Sequence, residues 1–344
     1  MTDYNKLIIT GGNGFIGCNS ASYFSSKADE IVVVDNNSRK GALDNQKWLS
    51  KNHSNISFVK ADISKDFDLL KKSFKDADTI LHLAAQVAVT TSVANPRSDF
   101  MDNALGTFNV LEAARLSADD ASIIFSSTNK VYGGMEQIKI IEGNKRYSYK
   151  DYPKGIPETE TLDFHSPYGC SKGAADQYVR DYHRIYGLKT VVFRQSCIYG
   201  QRQFGIEDQG WVAWFIIASL LGKPITIYGN GKQVRDVLYA EDLIKGYEMA
   251  LKKIDSVKGK IFNAGGGPEN TMSLLELLAF IEELNGKKPK YSFSDWRPGD
   301  QPVYISDITK ISSELGWKPK ITAKEGVKKL FVWVKENIHL FKDF

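Results

Sequence analysis

Residues 6–17 read KLIITGGNGFIG, and this stretch decides the fold. The apolar run at 7–9 leads directly into three glycines, as in a buried parallel strand that turns into a helix. Gly11 permits the tight turn, Gly14 lets the backbone approach a pyrophosphate, and Gly17 lets the helix pack closely on the strand. The free N–H groups and the positive dipole end of that helix would face the anion. The stretch therefore predicts a dinucleotide-binding site.

The residues downstream strengthen this prediction. The glycine spacing is G-x-x-G-x-x-G rather than G-x-G-x-x-G, so the triplet alone is a weak signal. The next predicted strand, residues 30–34, is followed by Asp35, where a carboxylate would accept hydrogen bonds from the adenosine ribose hydroxyls. Arg39 could hold the 2′-phosphate of NADP, but the carboxylate would repel that phosphate. We therefore expect NAD as the cofactor.

The composition is that of a soluble globular protein. At 344 residues the chain is long enough for about two domains, and 42% of its residues are hydrophobic and 25% charged. The net charge is only +4 and the lysines are scattered, so nothing favours nucleic acid or a membrane as a partner. We therefore expect a small-molecule ligand, with no nucleic-acid partner and no membrane partner.

Cysteine usage suggests a reducing compartment. Cys18, Cys170 and Cys197 are odd in number and widely spaced, which argues against a disulfide framework and against a zinc site. The first predicted strand begins within six residues of the N-terminus, and the longest apolar stretch, residues 211–221, is too short to cross a bilayer. The expected location is therefore the cytoplasm, and no metal is expected.

Strand and helix signals alternate through the first half of the chain. This pattern predicts an α/β fold with a doubly wound, Rossmann-type parallel sheet. The later strands are predicted at residues 56–60, 79–83 and 122–125, and one long helix is predicted from about 96 to 116. Because ligands bind outside the carboxyl ends of such strands, these ends define one site.

From Gln195 the alternation gives way to mixed signals. Helices are predicted near 209–221 and 273–285, as in a smaller α+β lobe. The expected domains are therefore a dinucleotide-binding domain and a substrate lobe. Their expected ranges are 1–194 with a return segment near 236–264 for the first, and 195–235 with 265–344 for the second.

A second motif, YGCSK at 168–172, follows Pro167, which suits the start of a helix. On that helix Tyr168 and Lys172 are i and i+4 and share a face. A free tyrosine has a pKa of about 10, and an ammonium together with a nicotinamide cation would lower it. The pattern occurs by chance on many surface helices. The upstream dinucleotide fingerprint and the Ser-Ser-Thr after the strand at 122–125 favour proton chemistry here.

Together the motifs resemble the extended short-chain dehydrogenase/reductase superfamily of nucleotide-sugar epimerases and dehydratases, over essentially the full length. The matching motifs are TGGNGFIG at 10–17, HLAAQ at 82–86, N-x-x-G-T at 103–107, SPYGCSK at 166–172 and RDVLYAEDL at 235–243. Three longer stretches resemble the CDP-paratose 2-epimerase family, also called CDP-tyvelose 2-epimerase. They are SSTNKVYG at 126–133, DFHSPYGCSKGAADQY at 163–178 and GQRQFGIEDQGWVAWF at 200–215.

The resemblance implies a mechanism. Tyr168, as a phenolate, would take the proton from a sugar hydroxyl while a hydride passes to NAD. Lys172 would lower the pKa of the tyrosine and hold the nicotinamide ribose, and Thr128 would hydrogen-bond the reacting oxygen. The keto sugar would then take the hydride back on its other face. This implies inversion at C2 of a CDP-sugar, from CDP-paratose to CDP-tyvelose, with NAD remaining bound.

The expected site residues follow from the motifs and from the resemblance. The cofactor positions are Gly11, Asn13, Gly14, Phe15, Ile16, Gly17, Asp35, Asn36, Ser38, Arg39, Asp62, Ile63, Leu83, Ala84, Ala85, Gln86, Asn103, Ser126, Tyr168, Lys172 and Gln195. The substrate positions are Thr128, Gln209, Arg235 and Arg297. The two arginines match the family, and their guanidinium groups suit phosphate oxygens; outside these motifs a surface ion pair would be the simpler interpretation. The helix after Gln209 could offer N–H groups to the same diphosphate.

Two departures from related families bear on the reaction. Sugar 4,6-dehydratases carry an acidic residue or pair after the threonine, where this chain has Asn129 and Lys130, so dehydration is not expected. The tyvelose enzyme carries histidine where this chain has Gln195. Three alternatives stay open: an epimerase of CDP-glucose at C2, an epimerase of a UDP-hexose at C4, and an NAD-binding regulator without turnover.

Three further expectations concern packing. His82 lies in a predicted strand and is expected to be a hydrogen-bonded core histidine. Related enzymes dimerise through the helices that correspond to those carrying Asn103 and Tyr168, so a homo-oligomer, a dimer or a tetramer, is expected. The segment at 135–156 lengthens the stretch before Tyr168, and the sequence does not rank its possible roles in the sugar pocket, in a subunit contact or as a simple loop.

Overall fold

The computed structural model describes residues 2–297 and 299–342. Internal contacts divide the chain into two units. The first comprises residues up to 131 with 166–194 and 244–262, and the second comprises 132–165, 195–243 and the residues from 263 onward. In the part of the chain that the structure describes, no helix is both long and apolar enough to cross a membrane.

The strands are short and mostly parallel. They are β1 Tyr4–Thr10, β2 Ala28–Asp35, β3 Ile56–Lys60, β4 Thr79–His82, β5 Ser122–Thr128, β6 Ile140–Glu142, β7 Tyr147–Tyr149, β8 Lys189–Gln195, β9 Cys197–Tyr199, β10 Ile225–Tyr228, β11 Val234–Tyr239, β12 Ile261–Ala264, β13 Thr271–Ser273, β14 Tyr291–Ser294 and β15 Val303–Tyr304.

The helices alternate with the strands in the first half. They are α1 Phe15–Phe24, α2 Ala42–Asn52, α3 Phe67–Phe74, α4 Val89–Ala94, α5 Pro96–Phe100, α6 Gly106–Ser117, α7 Ser166–Tyr186, α8 Trp211–Leu221, α9 Ala240–Lys252, α10 Ile254–Val257, α11 Leu274–Asn285, α12 Thr309–Leu315 and α13 Ala323–Glu336.

A seven-stranded sheet forms the centre of the first unit. Its strand order is β12-β8-β5-β4-β1-β2-β3 and its strands are parallel, so the predicted doubly wound fold is confirmed. The order reverses at β1, which pairs with β2 on one side and with β4 on the other. Such a reversal opens a crevice at the carboxyl ends of the strands. Buried aliphatic side chains of β1 and β5 pack with those of α3 and α6 into one core.

The long helix predicted at about 96–116 is wrong in one respect. The chain is helical there, but a π-turn at Met101–Leu105 separates α5 from α6. A π-turn adds a residue to the helical repeat and changes which side chains share a face, and such turns are frequent at functional sites. The turn contains Asn103, which is buried.

The second unit has a separate apolar core. α8 is apolar on all sides and packs with α11 and α13, which accounts for its burial despite its lack of an amphipathic pattern. The substrate-lobe arginine at 235 lies on β11, which pairs with β9, β13 and β15.

The segment at 135–156 belongs to this second unit. It forms the hairpin of β6 and β7, and the hairpin is bonded to strands of the unit. The N–H of Tyr147 donates to the carbonyl of Lys232 at 2.9 Å, and the hydroxyl of Tyr149 donates to the carbonyl of Val303 at 2.9 Å. The sequence-based domain range 1–194 includes this segment in the first domain, whereas its contacts lie in the second unit.

Candidate active site

The glycine turn after β1 has the geometry of a phosphate-binding turn. Gly11 has φ +69°, and a Cβ there would lie 2.7 Å from the backbone of Ala84. A Cβ on Gly17 would lie 2.2 Å from the carbonyl oxygen of Gly11, so only glycine lets α1 approach β1 this closely. Gly14 caps α1 without a side-chain hydrogen bond in the described structure, which leaves the helix N-terminus to its backbone N–H groups.

Two polar groups beside this turn suit a nucleotide. The Asp35 carboxylate at the end of β2 accepts hydrogen bonds from the N–H groups of Asn13, at 3.0 Å, and Asn37, at 2.8 Å. Burial raises the pKa of Asp35, while these donors lower it. The Asn13 side chain is buried, and its Oδ1 has no hydrogen-bond partner among residues 2–297 and 299–342. A buried orphan acceptor beside a carboxylate and a glycine turn fits a ligand with hydroxyl donors.

The other strand ends contribute close backbone and a polar wall. The N–H of Leu83 donates to the carbonyl of Thr10 at 3.1 Å, which brings the residues after β4 against the glycine turn. The N–H of Gln86 donates to Oδ1 of Asn103 at 2.9 Å. The expected cofactor residues Gln86 and Asn103 thus contact each other.

The remaining cofactor candidates are placed less centrally or have other contacts. Asn36 and Ser38 are exposed in the loop after β2, Ala85 is half-buried in the loop after β4, and Phe15 and Ile16 are half-buried at the start of α1. Asp62 forms an ion pair with Lys65 at 2.8 Å, and Ile63 packs against Gly106. Gln195 is buried at the last position of β8.

Tyr168, Lys172 and Thr128 lie together, as the motifs predict. Tyr168 and Lys172 occupy the first turns of α7, and both are buried. The Lys172 ammonium donates to the carbonyl of Ser126 at 2.6 Å and lies 4.2 Å from the ring centroid of Phe125. The Thr128 hydroxyl, at the end of β5, is close enough to Tyr168 to lower its pKa. The arrangement places a phenol, a hydroxyl and an amine at one strand end.

Burial shifts the two titratable groups in opposite directions. It lowers the pKa of Lys172 to about 7, although Asp176 and Asp99 raise it. It raises the pKa of Tyr168 to about 12, although the Thr128 hydroxyl lowers it.

The lowered tyrosine pKa expected from the sequence is therefore not produced by the protein groups alone. Burial disfavours the phenolate more strongly than its neighbours favour it. The Arg39 guanidinium is close enough to contribute: it lowers the pKa of Tyr168, and burial lowers its own pKa. A cation adjacent to the phenol would add to this effect.

Sequence reasoning missed two buried carboxylates next to these groups. Asp99 accepts a hydrogen bond from Ser171 Oγ at 2.5 Å. Asp176 accepts from Ser127 Oγ at 2.8 Å and forms a buried ion pair with Arg194 at 3.0 Å. Asp99 and Asn103 are i and i+4, which is the one available signal. That spacing does not predict whether the carboxylate is buried or exposed to solvent.

The second unit holds the three remaining substrate candidates. Arg235 is paired with Asp300 at 2.7 Å, and Arg297 with Asp208 at 3.0 Å. The Arg297 guanidinium also lies 3.7 Å from the ring centroid of Tyr228. Gln209 precedes α8, whose N-cap Gly210 makes no side-chain hydrogen bond in the described part of this unit. Each arginine thus holds a carboxylate, the group that an oxyanion would replace.

The expected core histidine is confirmed. His82 is buried, with Nδ1 2.8 Å from Thr10 Oγ1 and Nε2 3.0 Å from Thr107 Oγ1. Burial lowers its pKa to about 3, and the Lys172 ammonium adds to that shift. Among the residues that the structure describes, no cluster of His, Cys, Asp and Glu could hold a metal ion.

Comparisons with known proteins agree with this geometry. The family of GDP-mannose 4,6 dehydratase matches residues 8–330. The chain is 50% identical over 334 residues to CDP-paratose 2-epimerase of Salmonella typhi, covering 95% of this chain and 98% of that protein. It is 35% identical to a putative UDP-glucose 4-epimerase of Methanocaldococcus jannaschii, covering 96% and 99%.

Solved structures show the same fold. UDP-glucose 4-epimerase of Thermotoga maritima, solved with UDP-glucose, superposes with a TM-score of 0.83 at 29% identity, over 97% of this chain and 99% of that one. UDP-glucuronic acid 4-epimerase of Bacillus cereus, solved with UDP-glucuronic acid and NAD, gives 0.83 at 27% identity, over 96% and 99%.

Proposed function

The chain belongs to the GDP-mannose 4,6 dehydratase family, and we propose that it is an NAD-dependent epimerase of a CDP-sugar. The proposed reaction inverts C2 and converts CDP-paratose to CDP-tyvelose. The observation that carries the proposal is the 50% identity, over nearly both whole chains, to a CDP-paratose 2-epimerase. The cluster of Thr128, Tyr168 and Lys172 supports it, because a tyrosine, a lysine and a threonine suit reversible oxidation of a hydroxyl.

The first unit suits NAD as the resident cofactor. The close glycine turn would take the pyrophosphate, and Asp35 and the orphan acceptor of Asn13 would take ribose hydroxyls. When bound, NAD accepts a hydride from the sugar carbon and returns it. Asp35 would repel a 2′-phosphate, which favours NAD over NADP.

Side chains of the protein carry out the transfer of the sugar hydroxyl proton. Tyr168 takes the hydroxyl proton as the sugar is oxidised and gives it back on reduction. Thr128, whose hydroxyl lowers the pKa of Tyr168, hydrogen-bonds the reacting oxygen. The Lys172 ammonium, held by the carbonyl of Ser126, favours the phenolate form of Tyr168.

The second unit is the proposed nucleotide-sugar lobe. Arg235 and Arg297 bind the diphosphate, exchanging Asp300 and Asp208 for phosphate oxygens. The N-terminus of α8 after Gln209 adds backbone N–H donors. Asn129 and Lys130 stand where dehydratases have acids, and this disfavours elimination of water.

A second candidate is an epimerase acting at C4 of a UDP-hexose. The observation that favours it is the similarity to the Methanocaldococcus relative and to the Thermotoga epimerase. CDP-glucose at C2 and an NAD-binding regulator without turnover are further alternatives. The clustered Thr128, Tyr168 and Lys172 count against the regulator.

We also propose a homo-oligomer, a dimer or a tetramer, in the cytoplasm. Two neighbouring helices of the first unit expose apolar side chains with helical spacing. Phe108 and Leu116 on α6 are i and i+8, Tyr178 and Ile185 on α7 are i and i+7, and the rings of Phe108 and Tyr178 are 6.0 Å apart. These four residues, the α6/α7 apolar face, suit a second copy of the chain.

Proton NMR in deuterated buffer tests the reaction. The purified protein, without added cofactor, is incubated with CDP-paratose and separately with CDP-glucose. We expect inversion at C2 with no deuterium on carbon, because hydride returns from resident NAD rather than from solvent. Deuterium at the inverted carbon contradicts the mechanism. If neither sugar changes although the denatured protein releases NAD, the same assay is repeated with UDP-hexoses.

A further inference from the structure

A buried carboxylate lies beside the proposed catalytic pair and has no role in the mechanism above. Asp99 on α5 is 1% exposed. Its Oδ2 accepts from Ser171 Oγ at 2.5 Å, and its Oδ1 accepts from Gln86 Nε2 at 2.8 Å and from Asn103 Nδ2 at 3.1 Å. Burial of a carboxylate is costly, and three donors offset part of that cost.

The three donors come from three different segments. Gln86 is in the loop after β4, Asn103 is in the π-turn, and Ser171 is on α7 directly before Lys172. Asn103 Nδ2 also donates to Ser171 Oγ at 3.1 Å, and Ser171 Oγ donates to the carbonyl of Tyr168 at 3.2 Å. Asp99 is the common acceptor of this network.

We propose that Asp99 is a positioning residue of the active site, whose charge and hydrogen bonds hold Gln86, Asn103 and the Tyr168–Lys172 turn of α7 in the reactive arrangement. The inference rests on the proposed function, because it assigns Asp99 a role in that reaction. The carboxylate acts through the residues that it holds and through its field.

The field of Asp99 reaches both groups of the pair. Its negative charge raises the pKa of Lys172 and the pKa of Tyr168, and the Lys172 ammonium in turn lowers the pKa of Asp99. Asp99 also raises the pKa of Asp102 in the π-turn. The other charged or titratable groups that face the pair are Asp176 on the same helix, His82 on β4 and Arg39 in the loop after β2.

Loss of the Asp99 charge therefore has a signed consequence. Both pKa values fall, since a negative neighbour disfavours deprotonation of either group. The acidic and the alkaline limbs of the pH–rate profile both move to lower pH. The direction does not depend on which group produces which limb, so coupling between the two titrations does not reverse it.

Asp99→Asn is the primary variant. It conserves volume and retains an oxygen for Gln86 and Asn103 but removes the charge. We expect both limbs of the kcat profile to move to lower pH by about half a pH unit or more, and kcat at the optimum to fall about tenfold or more. The assay uses the nucleotide sugar that the wild-type holoenzyme epimerises.

Two further variants separate charge from packing. Ser171→Ala removes the hydroxyl that bridges Asp99, Asn103 and the carbonyl of Tyr168 but leaves the carboxylate, so it should lower kcat without moving the limbs. Asp102→Asn removes a neighbouring carboxylate that contributes to neither pKa of the pair, so it should leave both the rate and the profile unchanged.

NAD content provides a readout that does not require turnover. The amount of NAD released on denaturation should fall in Asp99→Asn, because Gln86 and Asn103 lose a charged acceptor, and it should not change in Asp102→Asn. Thermal unfolding checks the fold; if Asp99→Asn does not fold, Asp99→Ser is the smaller neutral replacement.

The outcomes distinguish the two proposals. An active wild type with an unshifted profile in the neutral variant overturns the role of Asp99 and leaves the epimerase assignment intact. A wild type that epimerises no nucleotide sugar overturns the proposed function and, with it, this role.

Discussion

Burial shifts the pKa values of Tyr168 and Lys172 in opposite directions, in each case against the charged form. In the protein alone it favours a neutral phenol, with a pKa of about 12, and it lowers the pKa of the amine to about 7. The charge that shifts both pKa values is that of Asp99, which raises each of them. A bound nicotinamide cation would lower the pKa of Tyr168.

Tyr168→Phe tests the proton-transfer role. The ring and its packing remain, whereas the group that takes the sugar proton is lost. We expect kcat to fall by about 10²- to 10⁴-fold, as for loss of a general base, with little change in Tm or in bound NAD. The epimerisation rate by NMR and thermal unfolding measure the two effects.

Tyr186→Phe is the matched control, because it removes a hydroxyl from an exposed tyrosine on the same helix. It should retain the wild-type rate. A Tyr168→Phe protein with an undiminished rate would contradict the assignment of Tyr168 as the base.

His82 makes the stability of the first unit depend on pH. Its pKa is about 3 in the folded protein, below its ordinary value of 6.5, so the unfolded chain binds one more proton between these two pH values. The free energy of unfolding therefore has its full value above pH 6.5. It decreases as the pH falls towards 3, by up to about 1.4 kcal/mol per pH unit.

His82→Gln should make that dependence shallower. Glutamine is polar and of similar size but takes up no proton. Urea unfolding at a series of pH values from 8 to about 5 gives the slope. His339→Gln, at an exposed position, is the matched control for the loss of a histidine. Equal slopes in His82→Gln and the wild type would mean that the folded protein protonates His82 after all.

The sequence predicted which side chains would lie near one another, but not how burial would shift their pKa values. Tyr168, Lys172 and Thr128 are found together, and His82 is a core residue, as predicted. The raised tyrosine pKa and the buried Asp99 were not predicted. Both depend on how much solvent reaches a group, and spacing along a helix does not determine solvent access.

At the scale of elements, two glycines after β1 have different roles: Gly17 lets α1 pack on β1, and Gly14 lies at the proposed pyrophosphate position. A methyl group on Gly17 would lie 2.2 Å from the carbonyl oxygen of Gly11, and 2.5 Å from the Cα of Gly12. Gly17→Ala must therefore push α1 away from β1. We expect a loss of about 1–3 kcal/mol in the free energy of unfolding, together with loss of bound NAD.

Gly14→Ala should affect NAD binding more than stability. Gly14 has φ −68°, which alanine adopts, and the nearest atom to its Cβ is the Gly11 oxygen at 3.1 Å. We expect a small change in Tm but less bound NAD, since the methyl group would face the proposed pyrophosphate position. Thermal unfolding and NAD released on denaturation distinguish the variants. Similar Tm losses in both would contradict separate tasks.

Element boundaries were predictable where the pattern is local. The strand at 56–60 occurs as predicted, because a short apolar run between polar turns sets both of its ends. The π-turn at 101–105 was not predicted. Its residues all suit an ordinary helix, and the extra residue is favoured by the tertiary contacts of Asn103 with Gln86 and α7.

At the scale of the whole chain, local pattern is least informative about which segments fold together. The residues at 132–165 precede α7 in sequence, but Tyr147, Tyr149 and Ile156 of this segment are hydrogen-bonded to residues after 230. Such pairings join parts of the chain that are far apart in sequence, and their partners leave no signal in either segment. The expected first domain, 1–194 with a return segment near 236–264, therefore included residues 132–165, which the contacts group with the second unit.

The proposed association of the chain with further copies can be tested without knowledge of the substrate. The α6/α7 apolar face exposes four large side chains, with Ile185 65% exposed. Exposure of such a face to water is unfavourable, and covering it with a second copy removes that cost. We expect light scattering at micromolar concentration to give a dimer or a tetramer.

The double variant Leu116→Glu, Ile185→Glu should give a smaller mass with an unchanged Tm of the subunit, because neither side chain is in the core. Leu43→Glu, on the exposed face of α2, introduces a similar charge at another apolar site and should leave the mass unchanged. A monomeric wild type would contradict the assembly, and a double variant of unchanged mass would place the interface elsewhere.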